Sequence, residues 1–109
     1  MKSEDGYLLR IIVGESDRHG RHPLYEAIVL KAREAGLAGA TVTRGVMGFG
    51  KHSVLHTAKI LRLSEDLPMT VEIADSLDPI EQFLPLLNEM ITDGLVTLEK
   101  VRVIQYKTR

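Results

Sequence analysis

The chain has no cysteine. That absence removes thiol nucleophiles, zinc–thiolate centres and disulfide frameworks together, and it fits a reducing compartment. Aromatic residues are scarce, with two Phe and three Tyr, which leaves little for stacking bases. An excess of charge of one sign is also missing: 14 Lys+Arg stand against 15 Asp+Glu, a formal net charge of -1. Without a broad basic footprint we expect no nucleic-acid partner. Long hydrophobic runs are absent as well. The opening MKSEDGYLLR places acidic residues before its first apolar stretch, which stops at Gly14, too short for a signal-peptide core or a membrane span. We therefore expect a cytoplasmic protein with no direct membrane insertion. Its 109 residues should form one domain, 1–109, able to bury a core without staples.

What is present is periodic. Residues 7–13, YLLRIIV, read as a strand with both faces largely covered, interrupted only by Arg10. Charged ESDRHGRH follows and ends at Pro23, which suits the first position of a helix because its missing N–H has no intrahelical partner there. The helix should span 23–35, with Leu24, Ala27, Ile28 and Ala32 as its buried stripe and Gly36 just past its end. Thr41, Val42 and Thr43 favour extended backbone. Residues 58–66 suit a strand extension and a short helical turn equally. In residues 67–74, Met69, Val71 and Ile73 alternate with polar or small neighbours, the pattern of a half-buried strand.

Asp78-Pro79-Ile80-Glu81 reads as a helix start, with Asp78 as the cap and Pro79 in the first turn. Ile80, Phe83, Leu84, Leu87, Met90 and Ile91 share one face of that helix, which contains Pro85 and should kink there. Asp93-Gly94 turns the chain into a last strand, 96–106. Its apolar parity changes from Val96 and Leu98 to Val101 and Val103, which predicts a bulge or break at Glu99-Lys100.

This order predicts an α+β, ferredoxin-like βαββαβ fold. It is a four-stranded antiparallel sheet, order 4-1-3-2, with two helices on one face and a long loop between strands 2 and 3. The topology sends residues 15–22, residues 47–57 and Asp93-Gly94 to one pole, and with them all four histidines. The uncovered sheet face should carry Leu8, Ile12, Ile104 and Tyr106, an apolar surface best explained by self-association.

The residues with the most chemical promise lie in 40–57, ATVTRGVMGFGKHSVLHT, where Gly45, Gly48 and Gly50 fall within six residues. Glycine clustering suggests backbone that must bend or approach something closely, and so long a connection suggests function. Arg18, Arg21, Arg44 and Lys51 share the pole with these glycine N–H groups and the start of the first helix, a set suited to phosphate or carboxylate. The competing reading leaves the same charges solvated and paired with Glu15 and Asp17. His52 and His56, with His19 and His22 at the same pole, make an alternative divalent-metal module. Ser53 beside His52 and His56 lacks an orienting third group, so no enzyme is expected.

ATVTRGVMGFGKH resembles the second strand and the start of the T-loop of PII signal-transduction proteins. From YLLRIIVGE through HPLYEAIVLKAREAGLAGATVTRG, GFG, LSEDLP and VEI to VTLEKVRVIQY, nearly the whole chain is similar to a small PII-like bacterial family, the domain-of-unknown-function 190 family. That resemblance implies a homotrimer, an adenine nucleotide or other anion in the cleft between subunits, and a protein partner such as a membrane transporter or channel reached through the T-loop. Gly48, Phe49 and Gly50 match the turn that borders the nucleotide in PII proteins, and Thr41 to Thr43 match the strand leading to it. The chain departs from PII in three ways: one extra residue separates TVT from GFG, Asp93-Gly94 replaces the phosphate-binding Gly-Asp-Gly-Lys loop, and no tyrosine lies between Gly50 and Thr57.

Overall fold

A computed structural model describes residues 1–49, 56–57 and 66–106. Its main elements are β1 (Lys2–Gly14), α1 (Leu24–Glu34), β2 (Thr41–Arg44), β3 (Pro68–Ser76), α2 (Leu77–Met90) and β4 (Leu95–Gln105). The strands form one antiparallel sheet in the order β2-β3-β1-β4, and both helices cover one of its faces, a ferredoxin-like α+β fold. Two short ladders lie outside that sheet and were not suggested by periodicity: Arg18–His19 with His22–Pro23, and Met47–Gly48 with His56–Thr57. Gly50, Lys51, His52 and Ser53, and the ambiguous stretch 58–65, lie outside the described residues.

The core sits between the helices and the two central strands. Leu9, Ile11 and Val13 of β1 and Met69, Val71 and Ile73 of β3 alternate inward, as a period of two requires. Leu24, Ala27, Ile28 and Ala32 of α1 close over them, with Ile80, Phe83, Leu87 and Met90 of α2. Full burial of each large aliphatic or aromatic side chain contributes about 1.5–3 kcal/mol. At the end of α1, Gly36 has φ 84, and the N–H groups of Gly36 and Leu37 bond to Arg33 O and Ala32 O, both at 3.1 Å. This paired closure needs a left-handed residue at Gly36.

Both helix starts lie one or two residues from their expected places. Pro23 is the N-cap of α1, with φ -55 and ψ 140, and Leu24 is the first helical residue. α2 begins at Leu77 with Ser76 as N-cap, which places Asp78 in the first turn rather than at the cap. Ser76 does not cap with its hydroxyl, because that group donates to Glu4 Oε1 across the sheet. Asp78 instead complements the positive end of the helix dipole. α2 continues through Pro85.

The expected bulge in the last strand is absent. Pairing of β1 with β4 runs unbroken from Lys2 opposite Gln105 to Ile12 opposite Leu95. The parity change is a switch of face along an unbroken ladder. Val96 and Leu98 lie opposite Ile11 and Leu9 on the helix side, whereas Val101 and Val103 are on the other side. There Val103 fills the space above Gly6, where a Cβ would collide with it and with the carbonyl of Asp75. The same register corrects the composition of the open face. Leu8 and Ile12 are on it, joined by Leu95 and Val101, but Ile104 lies opposite Ser3 on the helix-side parity, and Tyr106 follows β4 beyond the pairing. In the middle of the open face Arg10 and Glu72 sit directly opposite each other and pair at 2.8 Å.

Asp75 is the buried charged residue among those described. Its Oδ2 accepts from Ala38 N–H at 2.9 Å and its Oδ1 from Ser76 N–H at 2.7 Å, so it ties the α1–β2 connection to the end of β3. Asp75→Ala strands both donors. Urea denaturation is expected to show a loss of about 1–3 kcal/mol; an unchanged midpoint would show that water replaces the carboxylate without cost.

Candidate functional site

Strand pairing assembles the candidate pole. Gly14 at the end of β1 lies opposite Pro68 at the start of β3, and Arg44 at the end of β2 lies opposite Met69. Just beyond, Glu15 N–H donates to Leu67 O at 2.8 Å and Ser16 N–H to Asp66 Oδ1 at 2.7 Å, prolonging the β1–β3 contact past the sheet. Asp17 folds the chain back: its Oδ2 accepts from Gly14 N–H at 2.9 Å, and its carbonyl accepts from Leu24 N–H at 2.7 Å. That last bond occupies the first free donor of α1, so the helix start is less open to an anion than its position suggested.

Arg44 is held by Glu15. Its Nε donates to Oε2 at 2.9 Å and its Nη2 to Oε1 at 3.1 Å, a bidentate arrangement, and Leu67 N–H approaches the same carboxylate at 3.4 Å. Half of the Arg44 side chain remains exposed. Arg18 and Arg21 lie on the exposed ladder hairpin, where Arg18 Nη2 donates to the carbonyl of Arg21 at 2.6 Å. Pairing with Glu15 and anion binding were the two readings of Arg44 from the sequence, and the structure makes the first contact explicit while leaving a solvent-facing side.

Gly45 and Gly48 answer a packing requirement. Gly45 N–H donates to Pro68 O at 2.7 Å, and a Cβ at Gly45 or Gly48 would lie 2.7 or 2.9 Å from Pro68 Cγ. The base of the long connection therefore presses backbone against a rigid ring. Beyond Gly48, Phe49 is exposed, as are Val46 and Met47. Sequence reasoning missed the roles of Asp66 and Pro68; only their place in the SEDLP motif marked them.

The histidines converge less. His19 and His22 oppose each other in the hairpin ladder, and His22 Nδ1 lies 3.3 Å from Glu26 Oε1. His56 is paired through its backbone with Gly48, and His52 is outside the described residues. Among the described residues no group of three or more His, Asp or Glu side chains is disposed to hold a metal. At the remaining corner, a Cβ on Gly94 would meet the carbonyl of Ile12 at 3.0 Å, so Asp93-Gly94 acts as a close turn against β1.

The DUF190 family, described as "Uncharacterized ACR, COG1993", matches residues 6–103. A UPF0166 protein of Aquifex aeolicus is 39% identical over 97 residues, covering 89% of this chain and 91% of its own. In fold, the chain is similar to a putative PII-like signaling protein from Thermus thermophilus, with TM-score 0.66, 20% identity and coverage of 95% and 94%. It is also similar to CPII, a nitrogen regulatory PII-like protein from Thiomonas intermedia bound to ADP, AMP and bicarbonate, with TM-score 0.62, 21% identity and coverage of 94% and 91%.

The glycine–proline contact generates a test. Gly45→Ala is expected to cost about 1–3 kcal/mol through overpacking. Combining it with Pro68→Ala should cost less than the sum of the two single changes, because the colliding ring is gone. Strict additivity in chemical denaturation would mean that the two residues do not bear on each other.

Proposed function

The chain belongs to the DUF190 family, and from that premise we propose that it is a PII-like homotrimeric regulator. In this reading it binds a small anionic ligand in the cleft between subunits and signals to a partner protein through residues 47–57. The observation that carries the proposal is the pole itself, where a half-exposed arginine stands beside glycine backbone at the base of the long connection. An arginine fork is suited to carboxylate, bicarbonate or phosphate oxygens. ADP, AMP and bicarbonate, the molecules bound to CPII, are the first candidates. Arg44, Gly48, Phe49, Gly50, Lys51, Arg18 and Arg21 are the residues we assign to ligand binding.

The missing Gly-Asp-Gly-Lys loop argues for a different phosphate grip from that of typical PII proteins, or for a ligand with fewer phosphates. A role in binding and signalling suits this equipment better than catalysis. Leu8, Ile12, Leu95 and Val101 on the open sheet face support self-association, since a small domain gains by covering such a surface. No described helix is long and apolar enough to cross a membrane, so a transporter or channel partner would be met at its exposed surface.

Calorimetry with ADP, AMP and bicarbonate tests the ligand. Arg44→Ala should weaken the bound anion by about ten- to a hundredfold, the equivalent of a charge-assisted hydrogen bond of roughly 1.5–3 kcal/mol. Affinity indifferent to Arg44 would put the site elsewhere. Light scattering tests the assembly: a trimer is expected for the native chain, and Ile12→Glu should dissociate it by burying an unpaired charge. A native monomer at micromolar concentration would refute the trimer.

A further inference from the structure

Resting on the anion-binding reading of Arg44, we propose that Glu15 is the affinity- and selectivity-determining residue of that site, an internal carboxylate that an incoming anion must displace. The two bonds from Arg44 Nε and Nη2, at 2.9 and 3.1 Å, are the contacts a guanidinium makes with any planar two-oxygen anion, so Glu15 already supplies what a ligand would supply. It is built to compete. Its backbone N–H is anchored to Leu67 O at 2.8 Å, which keeps the carboxylate next to Arg44 at a high effective concentration. Displacement is feasible because 50% of the Arg44 side chain and 27% of the Glu15 side chain are exposed, and such a partly wet pair is only modestly stable.

Selectivity follows from the same competition. A singly coordinating monovalent anion gains too little from Arg44 to replace two charge-assisted bonds, whereas a bidentate or multiply charged oxyanion gains enough. Displacement also has a structural consequence at the loop base. The carboxylate that lets go of Arg44 is the one approached by Leu67 N–H, and Leu67 precedes the proline on which Gly45 and Gly48 rest.

The test compares the native chain with Glu15→Gln, Glu15→Ala, Arg44→Ala and the Glu15→Gln/Arg44→Ala double variant, titrated calorimetrically with ADP, AMP and bicarbonate. Removing the competitor should tighten the bound anion by about three- to tenfold, because the fraction of protein with a free arginine rises. The gain should vanish in the double variant. A residue that merely supports the fold would shift affinity the other way. If binding depends on Arg44 but both Glu15 variants bind equally or more weakly, competition by Glu15 is wrong while the proposed function stands. If none of the three anions binds any form, or binding ignores Arg44, both ideas fall together.

Discussion

The structure depends on the continuous pairing of β1 with a neighbour on each side. β1 meets β3 from Gly6 to Gly14 and β4 from Lys2 to Ile12, without a slip in either ladder. Since side chains alternate along a strand, these registers decide which residues face the helices and which face outward. They also bring the end of β1 to the start of β3, and the end of β2 arrives beside them by pairing with the same strand. The meeting of these three strand ends is a consequence of register.

At that pole the contacts form a connected set. Glu15 bonds to Leu67 through its backbone and to Arg44 through its side chain; Ser16 bonds to Asp66; Gly45 bonds to Pro68 and packs against its ring. The segment 66–68 therefore touches both the loop after β1 and the connection after β2. Leu67 N–H also approaches the Glu15 carboxylate, so the same segment meets the partner of Arg44 and the backbone of Gly45 and Gly48. For the sensor proposed above, these contacts would be the link between a bound anion and the loop, over a short distance.

The arrangement also shows why a cluster of basic residues in a sequence is an incomplete description of an anion site. Arg18, Arg21 and Arg44 lie on segments at the same end of the sheet, yet Arg18 turns onto a backbone carbonyl and Arg44 onto a carboxylate. Both of these cations have an acceptor inside the chain. What distinguishes Arg44 is its strand-end position, its bidentate geometry and its exposed side.

Hydrophobic period and element order were sufficient to read the fold class, the buried stripe of α1 and the inward residues of β3, because burial against a single core imposes a strict spacing on each element. The left-handed glycine after α1 was legible for a similar reason, since only glycine meets that conformation without penalty. What the tertiary structure alone decided concerns competition between partners distant in sequence. Asp78 reads as the cap of α2, but the helix begins at Leu77 after Ser76, whose hydroxyl bonds to Glu4, and the apolar switch in β4 reads as a bulge but is a change of face in an unbroken ladder beside Gly6. Arg44 could be read as free or paired, and 29 residues separate it from the Glu15 carboxylate that holds it. Local spacing records which face of an element is buried, whereas the choice of one acceptor among several depends on strand register, which the whole sheet sets.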